Sequence, residues 1–292
     1  MIAAPAATRN VWTFDAIGTR WTIETPAPLP VAVQHTVAAL IADFDAEWSR
    51  FRADSVVSRL GARGGSVPAP DDTADMLEAY RDLADATAGA VNPLIGASLE
   101  RLGYDAAYSL VDRGAAPAPA DWRRLLTWDD GMLTLAGPAT IDVGALGKGR
   151  LVDIVLAAIE AEIDGDVVVD ASGDLAVRGA AQRIGLEHPF DPKRAIGVVE
   201  IADRALCASA INRRAWGSGL HHVLDARTGQ PVRTIAATWA VAPTAMRADA
   251  VATALFFDGG PELAASWDVE WVRMTTDGVV EWSPRNTAEL FV

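Results

Sequence analysis

Cysteine is almost absent from this chain. Cys207 stands alone among 292 residues, so no intrachain disulfide forms and no cysteine metal cluster can be assembled. Long apolar runs are missing too. No uncharged apolar stretch reaches the roughly 18 residues that a membrane-spanning helix needs. The opening MIAAPAATRN has neither a positively charged leader nor an apolar run followed by a cleavage site. These absences predict no membrane span and a cytoplasmic setting. Positive charge is also scarce, with 25 Lys and Arg against 39 Asp and Glu and a formal net charge of -14. A chain this acidic lacks a broad basic face, which argues against nucleic-acid binding and requires any anionic ligand to be held locally. With 50% hydrophobic and 22% charged residues, the composition is that of a globular protein with a substantial core, in one large domain or two small ones.

The spacing of apolar residues supplies the elements. VWTFDAIGTRWTIETP alternates as two strands, Val11 to Phe14 and Arg20 to Glu24, joined at Gly18. Pro26, Pro28 and Pro30 end the sheet; Val33, Val37, Leu40, Ile41 and Phe44 then follow helical spacing from Val31 to Trp48. GARGGSVPAP at 61–70 reads as loop, Asp72 to Ala88 as a second helix, and the alanine- and proline-rich DRGAAPAPADWRRL as a surface connection. Strands around Leu125 to Trp128 and Met132 to Leu135 precede a helix from Leu151 to Ile163. A buried strand, tight loop and return strand in GDVVVDASGDLAVRG lead to further strands, a helix in MRADAVATALFF and a terminal hairpin around Asp277 and Gly278. Without regular βαβ alternation or any internal repeat, this mixture predicts an α+β fold.

Four stretches hold residue types that do chemistry. In IDVGALGKGRLVDIVLAAI, residues 141–159, three glycines and Lys148 precede an amphipathic stretch. Asp142 and Gly149 stand where a P-loop needs glycine and a hydroxyl residue, which excludes that motif. A glycine-rich turn entering a helix still offers backbone N–H groups at the positive end of the helix dipole, and Lys148 adds a full charge. A plain strand-to-helix turn with a solvated lysine is the alternative. In GLHHVLDARTGQP, adjacent His221 and His222 point to opposite faces of a strand, so at most one faces a given site. A histidine takes a hydroxyl proton near neutral pH, and Asp225 could orient it or bind a metal. In APTAMRADAVATALFF, Asp249 and Thr253 stand four apart on one helical face, two hard oxygens of the kind that hold Mg²⁺ with phosphate and water. ASGD lets the backbone turn tightly beside whatever lies at the end of its strand. His35 and His188 suggest no zinc triad.

Taken in this order, these segments resemble the ApbE family, the FAD:protein FMN transferases, from AIGTRW near residue 16 to ALFFDG near residue 259. WSRFRADSVVSRL resembles that family's S-x-Y-R-x-x-S, and GAVNPLIGASLERLGYD its G-x-F-D-P-T. DVGALGKGRLVD is similar to D-L-G-G-I-A-K-G-x-x-V-D, HHVLDARTGQPV to H-H-I-I-D-P-R-T-G-x-P, and ADAVATALF to A-D-A-L-A-T-A-L-F. The resemblance implies a single domain over residues 1–292, with mostly antiparallel sheets packed with helices. It also implies an enzyme in which Mg²⁺ bridges the FAD pyrophosphate. A Ser or Thr of an acceptor protein attacks the FMN-side phosphorus, and AMP leaves. The metal ligands would be the Ala145 carbonyl, Asp249 and Thr253. FAD contacts would fall at Ile17, Phe51, Ala90, Val91, Asn92, Asp142, Lys148 and Ala237. His222 would be the base, with His221 the fallback and Asp225 its companion. The glycines of DVGALGKG would permit close approach of the pyrophosphate.

The chain departs from the family pattern at several of these positions. Ile17 stands for methionine, Phe51 for tyrosine and Asn92 for aspartate, while Ala210 in CASAIN replaces a flexible glycine beside the acceptor. DAR replaces D-P-R. The changes leave the metal and phosphate positions intact and alter the flavin and acceptor sides. Two other activities therefore stand beside FMN transfer: hydrolysis of FAD to FMN and AMP, and FAD binding without catalysis. Family members usually act outside the cytoplasm behind a lipoprotein leader, so the bare opening implies a cytoplasmic acceptor or a segment upstream.

Overall fold

A strand that is apolar at both parities has to be covered on both faces, and this requirement organises the protein. The computed structural model describes residues 9–291; the reading of the opening as leaderless falls largely on residues outside that range. Eight strands form the main sheet in the order Asn10–Ala16, Thr19–Thr25, Val167–Asp170, Asp174–Arg178, Arg204–Ala210, Ile235–Ala242, Glu270–Thr275, Val280–Trp282. Every neighbouring pair in this sheet is antiparallel. Val167 and Val169 pack to one side and Val168 to the other; Ala240 and Ala242 alternate in the same way with Trp239 and Val241.

The first side is filled by the helices Val31–Trp48, Thr73–Ala86, Gly147–Glu160 and Ala245–Ala254. The second is covered by a three-stranded sheet of Gln182–Glu187, Ala195–Ile201 and Glu289–Leu290, which contributes Leu186, Ile196, Val199 and Ile201. All eight residues of Ile235–Ala242 are consequently buried. The α+β architecture with antiparallel sheets is as the sequence predicts, and no helix among the described residues is long and apolar enough to cross a membrane.

Local departures from the sequence reading have identifiable causes. Residues 61–70 are not simply loop: Gly61 to Arg63 end the helix Val56–Arg63, and Gly65–Pro68 is a strand. That strand pairs with Met132–Leu135, a partner far along the chain that local composition does not reveal. The surface connection contains the helical turn Trp122–Leu125. The helix expected from Leu151 starts four residues earlier, at Gly147, and ends at Glu160. Glycine is a poor helix former, and here tertiary packing overrides it. The N–H groups of Leu146 and Gly147 both donate to the Val143 carbonyl, at 3.2 and 2.8 Å, closing the turn that feeds the helix.

Two helices meet at this point. Gly149 faces the start of Ala245–Ala254 so closely that a Cβ would collide with the Ala245 carbonyl and the Asp249 side chain. The Asp153 carboxylate accepts the N–H groups of Ala245 and Met246 at 2.7 and 2.9 Å, satisfying donors that a helix start leaves open. Gly149→Ala is therefore expected to push the helices apart and destabilise the fold by about 1–3 kcal/mol. Thermal unfolding checks it, and a melting temperature equal to that of the wild type contradicts the packing account.

Candidate active site

The turn between the first two strands places Ile17 at φ 46° and Gly18 at φ 71°, the left-handed pair that a two-residue hairpin requires. Ile17 is β-branched, for which this conformation is strained. Its side chain borders a cavity of about 930 Å³. Phe51, Ala90, Val91, Asn92 and Ala237 line the same cavity, as do Asp142, Ala145, Lys148, His222, Asp249 and Thr253. Twelve of the thirteen site residues singled out from the sequence besides the fallback His221 thus converge; Asp225 does not line this cavity.

Tyr80 shapes the turn that enters the Gly147–Glu160 helix. Its hydroxyl donates to the Asp142 carbonyl at 3.0 Å and accepts the Ala145 N–H at 3.4 Å. Burial, and then the nearby Asp142, raise its pKa well above the usual phenol value. In this turn the Ala145 carbonyl accepts the Thr253 hydroxyl at 3.2 Å. The Asp249 carboxylate accepts the Gly149 N–H at 3.0 Å. Asp249 is 4% exposed, and burial followed by Asp174 raises its pKa well above the carboxylate range, with Lys148 opposing.

Lys148 is less free than the sequence suggests. Its ammonium donates to the Ala171 carbonyl at 3.2 Å and lies 3.1 Å from the Asp174 carboxylate. Burial alone would lower its pKa, but Asp174 and Asp249 outweigh burial and raise it, so the charge is retained. The helix start is also partly occupied, because the Gly147 N–H serves Val143 and the Gly149 N–H serves Asp249. The glycines need a corresponding correction. Side chains at Gly147 and Gly149 would meet Val143 and Asp249 respectively, so protein packing already explains them before any pyrophosphate is considered.

The two histidines differ sharply. His221 donates from Nε2 to the Val232 carbonyl at 2.8 Å and accepts the Val223 N–H on Nδ1 at 3.3 Å, so backbone occupies both ring nitrogens. His222 lines the cavity, and its Nδ1 is enclosed without a hydrogen-bond partner. Burial first, and Arg214 second, lower its pKa to about 3, which keeps the imidazole neutral. Asp225 does not orient it. That carboxylate is clasped by the Arg227 guanidinium at 2.6–3.1 Å and accepts the Arg227 N–H at 2.9 Å. These bonds outweigh burial and lower its pKa. The reason is geometric: the turn after Leu224–Asp225 folds Arg227 back onto its own aspartate.

Asn92 is likewise engaged, donating to the Pro119 carbonyl at 2.8 Å and accepting the Leu94 N–H at 2.9 Å. An aspartate there could not donate to Pro119, so the departure from the family pattern fits its surroundings. Sequence reasoning missed Arg50, Tyr80, Tyr104, Asp174 and Arg214. Arg50 donates to Asp142 at 2.5 Å and to the Tyr104 carbonyl at 2.9 Å, an association across 92 and 54 positions that no local spacing signals. Asp174 lay within the ASGD stretch already noted, and Lys148 was the hint.

The ApbE family profile matches residues 17–272. The chain belongs to the ApbE family. It is 28% identical over 285 residues to the FAD:protein FMN transferase of Treponema pallidum, covering 83% of this chain and 77% of that one. The FAD:protein FMN transferase of Rhodobacter capsulatus is 28% identical over 305 residues, covering 95% of this chain and 58% of the relative. Among solved structures, the Pseudomonas stutzeri flavinyl transferase ApbE in its apo form superposes with a TM-score of 0.77 at 22% identity, over 95% of both chains. The Thermotoga maritima ApbE protein does so at 0.81 and 20%, over 95% of this chain and 97% of that one. At such identities the structural likeness establishes the fold.

The depressed pKa of His222 links the site to stability. The unfolded chain binds this proton near pH 6.5 and the folded chain only near 3, so the stabilisation is complete above about pH 6.5 and is lost as pH falls towards about 3. In His222→Gln the decline of melting temperature between about pH 7 and about pH 4 is expected to be shallower than in the wild type. Parallel curves would contradict the buried, neutral imidazole.

Proposed function

We propose that this ApbE-family chain is an FMN transferase that uses Mg²⁺ and moves FMN from FAD to a Ser or Thr hydroxyl of an acceptor protein, releasing AMP. The observation that carries this reading is the meeting of Asp249, the Thr253 hydroxyl and the Ala145 carbonyl beside Lys148, in one cavity with His222. A cavity of about 930 Å³ is at the large end of the small-molecule range and suits a dinucleotide. The names of the relatives, FAD:protein FMN transferase, point the same way.

The residues present fit a hard divalent cation. The Thr253 and Ala145 oxygens are 3.2 Å apart, close to an edge of the octahedron that Mg²⁺ prefers. Asp249 is a buried carboxylate whose charge is only partly countered by Lys148, a situation that a cation relieves. Among the described residues no three His, Cys, Asp or Glu side chains gather as a metal cluster, so the donor set is one carboxylate completed by a hydroxyl and a carbonyl. When bound, Mg²⁺ supplies charge neutralisation at the pyrophosphate.

The chain's own groups divide the remaining tasks. Lys148 keeps its charge and offers it where negative charge grows on the leaving phosphate. Neutral His222 takes the proton of the acceptor hydroxyl as its oxygen bonds to the FMN-side phosphorus. The bond from that phosphorus to the bridging oxygen breaks, and the electron pair leaves on AMP. A base with a pKa near 3 is weak in the resting protein; entry of anionic phosphates beside it raises its proton affinity.

Incubation with FAD, Mg²⁺ and a Ser- or Thr-bearing acceptor is expected to give a fluorescent protein band on a denaturing gel together with AMP. His222→Ala should lower that rate by about 10²- to 10⁴-fold while still binding FAD. Near-normal transfer by this variant removes His222 as the base. AMP without labelled protein identifies the hydrolase, and a flavin spectral shift without either product identifies a binding protein.

A further inference from the structure

One aromatic ring at the rim of the cavity is used by nothing described above. Tyr108 lines the cavity yet is 53% exposed. It lies parallel to Phe51, with ring centroids 5.6 Å apart and planes within 7°. The two rings differ in how they are held. Tyr104 meets both edge-on, Phe51 at 5.4 Å and Tyr108 at 5.6 Å, but the Arg50 guanidinium stands 4.1 Å over the half-buried Phe51 ring and holds it in place. Tyr108 sits in a stretch without helix or strand, folded by the Asp105 carboxylate, which accepts the N–H groups of Ala107 and Ser109 at 3.1 and 2.9 Å.

Backbone strain is concentrated around it. Tyr108 at φ 48° and Leu110 at φ 53° occupy the left-handed region without being glycine, and Ile17 at φ 46°, which also lines the cavity, does so too. A Cβ added at Gly18 would lie 4.0 Å from the Tyr108 hydroxyl. Tyr108 therefore reaches from Phe51 across to the Ile17–Gly18 turn. Strained non-glycine residues held in this way cluster at ligand clamps.

We infer that Tyr108 is a substrate-binding residue that stacks on a planar ring of the dinucleotide, with Phe51 as the fixed floor and Tyr108 as the movable cover. This rests on the FAD-binding reading given above. Rings 5.6 Å apart leave no room between them, since each stacked contact needs about 3.5 Å. Tyr108 must leave Phe51 and close on the outer face of the incoming ring. The ring already resting on Phe51 marks the surface that the ligand takes. Isoalloxazine and adenine share the required chemistry, a flat π-face that stacks on an aromatic side chain.

The test is equilibrium titration of the wild type, Tyr108→Ala and Tyr108→Phe with FAD, and then with FMN and ADP as fragments. Tyr108→Ala is expected to weaken FAD binding about 5- to 100-fold, the range for losing one aromatic stacking partner. Tyr108→Phe should stay near the wild type. The same loss with FMN assigns the isoalloxazine, and with ADP the adenine. Since the side chain is half in solvent, thermal unfolding of Tyr108→Ala should match the wild type. Unchanged FAD affinity in Tyr108→Ala overturns the inference alone, as does an equal loss in both variants, which would assign the effect to the hydroxyl. A wild type that binds no FAD overturns the functional reading as well.

Discussion

The site depends on how closely the Gly147–Glu160 and Ala245–Ala254 helices approach. Gly149 has no side chain, so its backbone N–H reaches the Asp249 carboxylate at 3.0 Å. One turn further along, Asp153 holds the first N–H groups of the second helix. Asp249 and Thr253 then stand on one face, with the Thr253 hydroxyl against the Ala145 carbonyl just before the first helix. Lys148, between Gly147 and Gly149, is aimed by the same contact at Asp174. A single helix crossing thus positions the hard oxygens and the lysine together.

Charge gives that arrangement its direction. A chain with a net charge of -14 is an unpromising host for a dinucleotide bearing two phosphates, and its cavity wall does not correct the balance. Arg50 is paired with Asp142 and Lys148 with Asp174. Asp249 is left buried without a full counter-charge, and burial also raises the pKa of neighbouring Asp170. The pocket as built favours an added cation before it favours an anion. In the proposed activity, a cation held there would offset the acidic wall where a pyrophosphate enters, which joins the two ligands.

Much of this was legible in the sequence. The apolar run Val167 to Val169, the long helix from Val31 and the hairpin at Asp277 and Gly278 were readable because each rests on a local pattern. The strand Gly65–Pro68 was not, because only pairing with residues nearly 70 positions away makes it one. Asp249 and Thr253 were legible as a helical pair, and resemblance assigned Ala145. Tyr80, Arg50 and Asp174 were not, since each reaches the site through tertiary packing. Asp225 was misjudged: its partner is Arg227, two residues along, and neither histidine. Choosing between His221 and His222 required three dimensions, because the answer lies in the Val232 carbonyl that engages His221.

The most direct measurement is the affinity for FAD with and without Mg²⁺, in the wild type and in Asp249→Asn. The account predicts that Mg²⁺ tightens FAD binding to the wild type and leaves the variant unaffected, because the buried carboxylate that anchors the cation is gone. An equal Mg²⁺ effect in both proteins, or none in either, would contradict it.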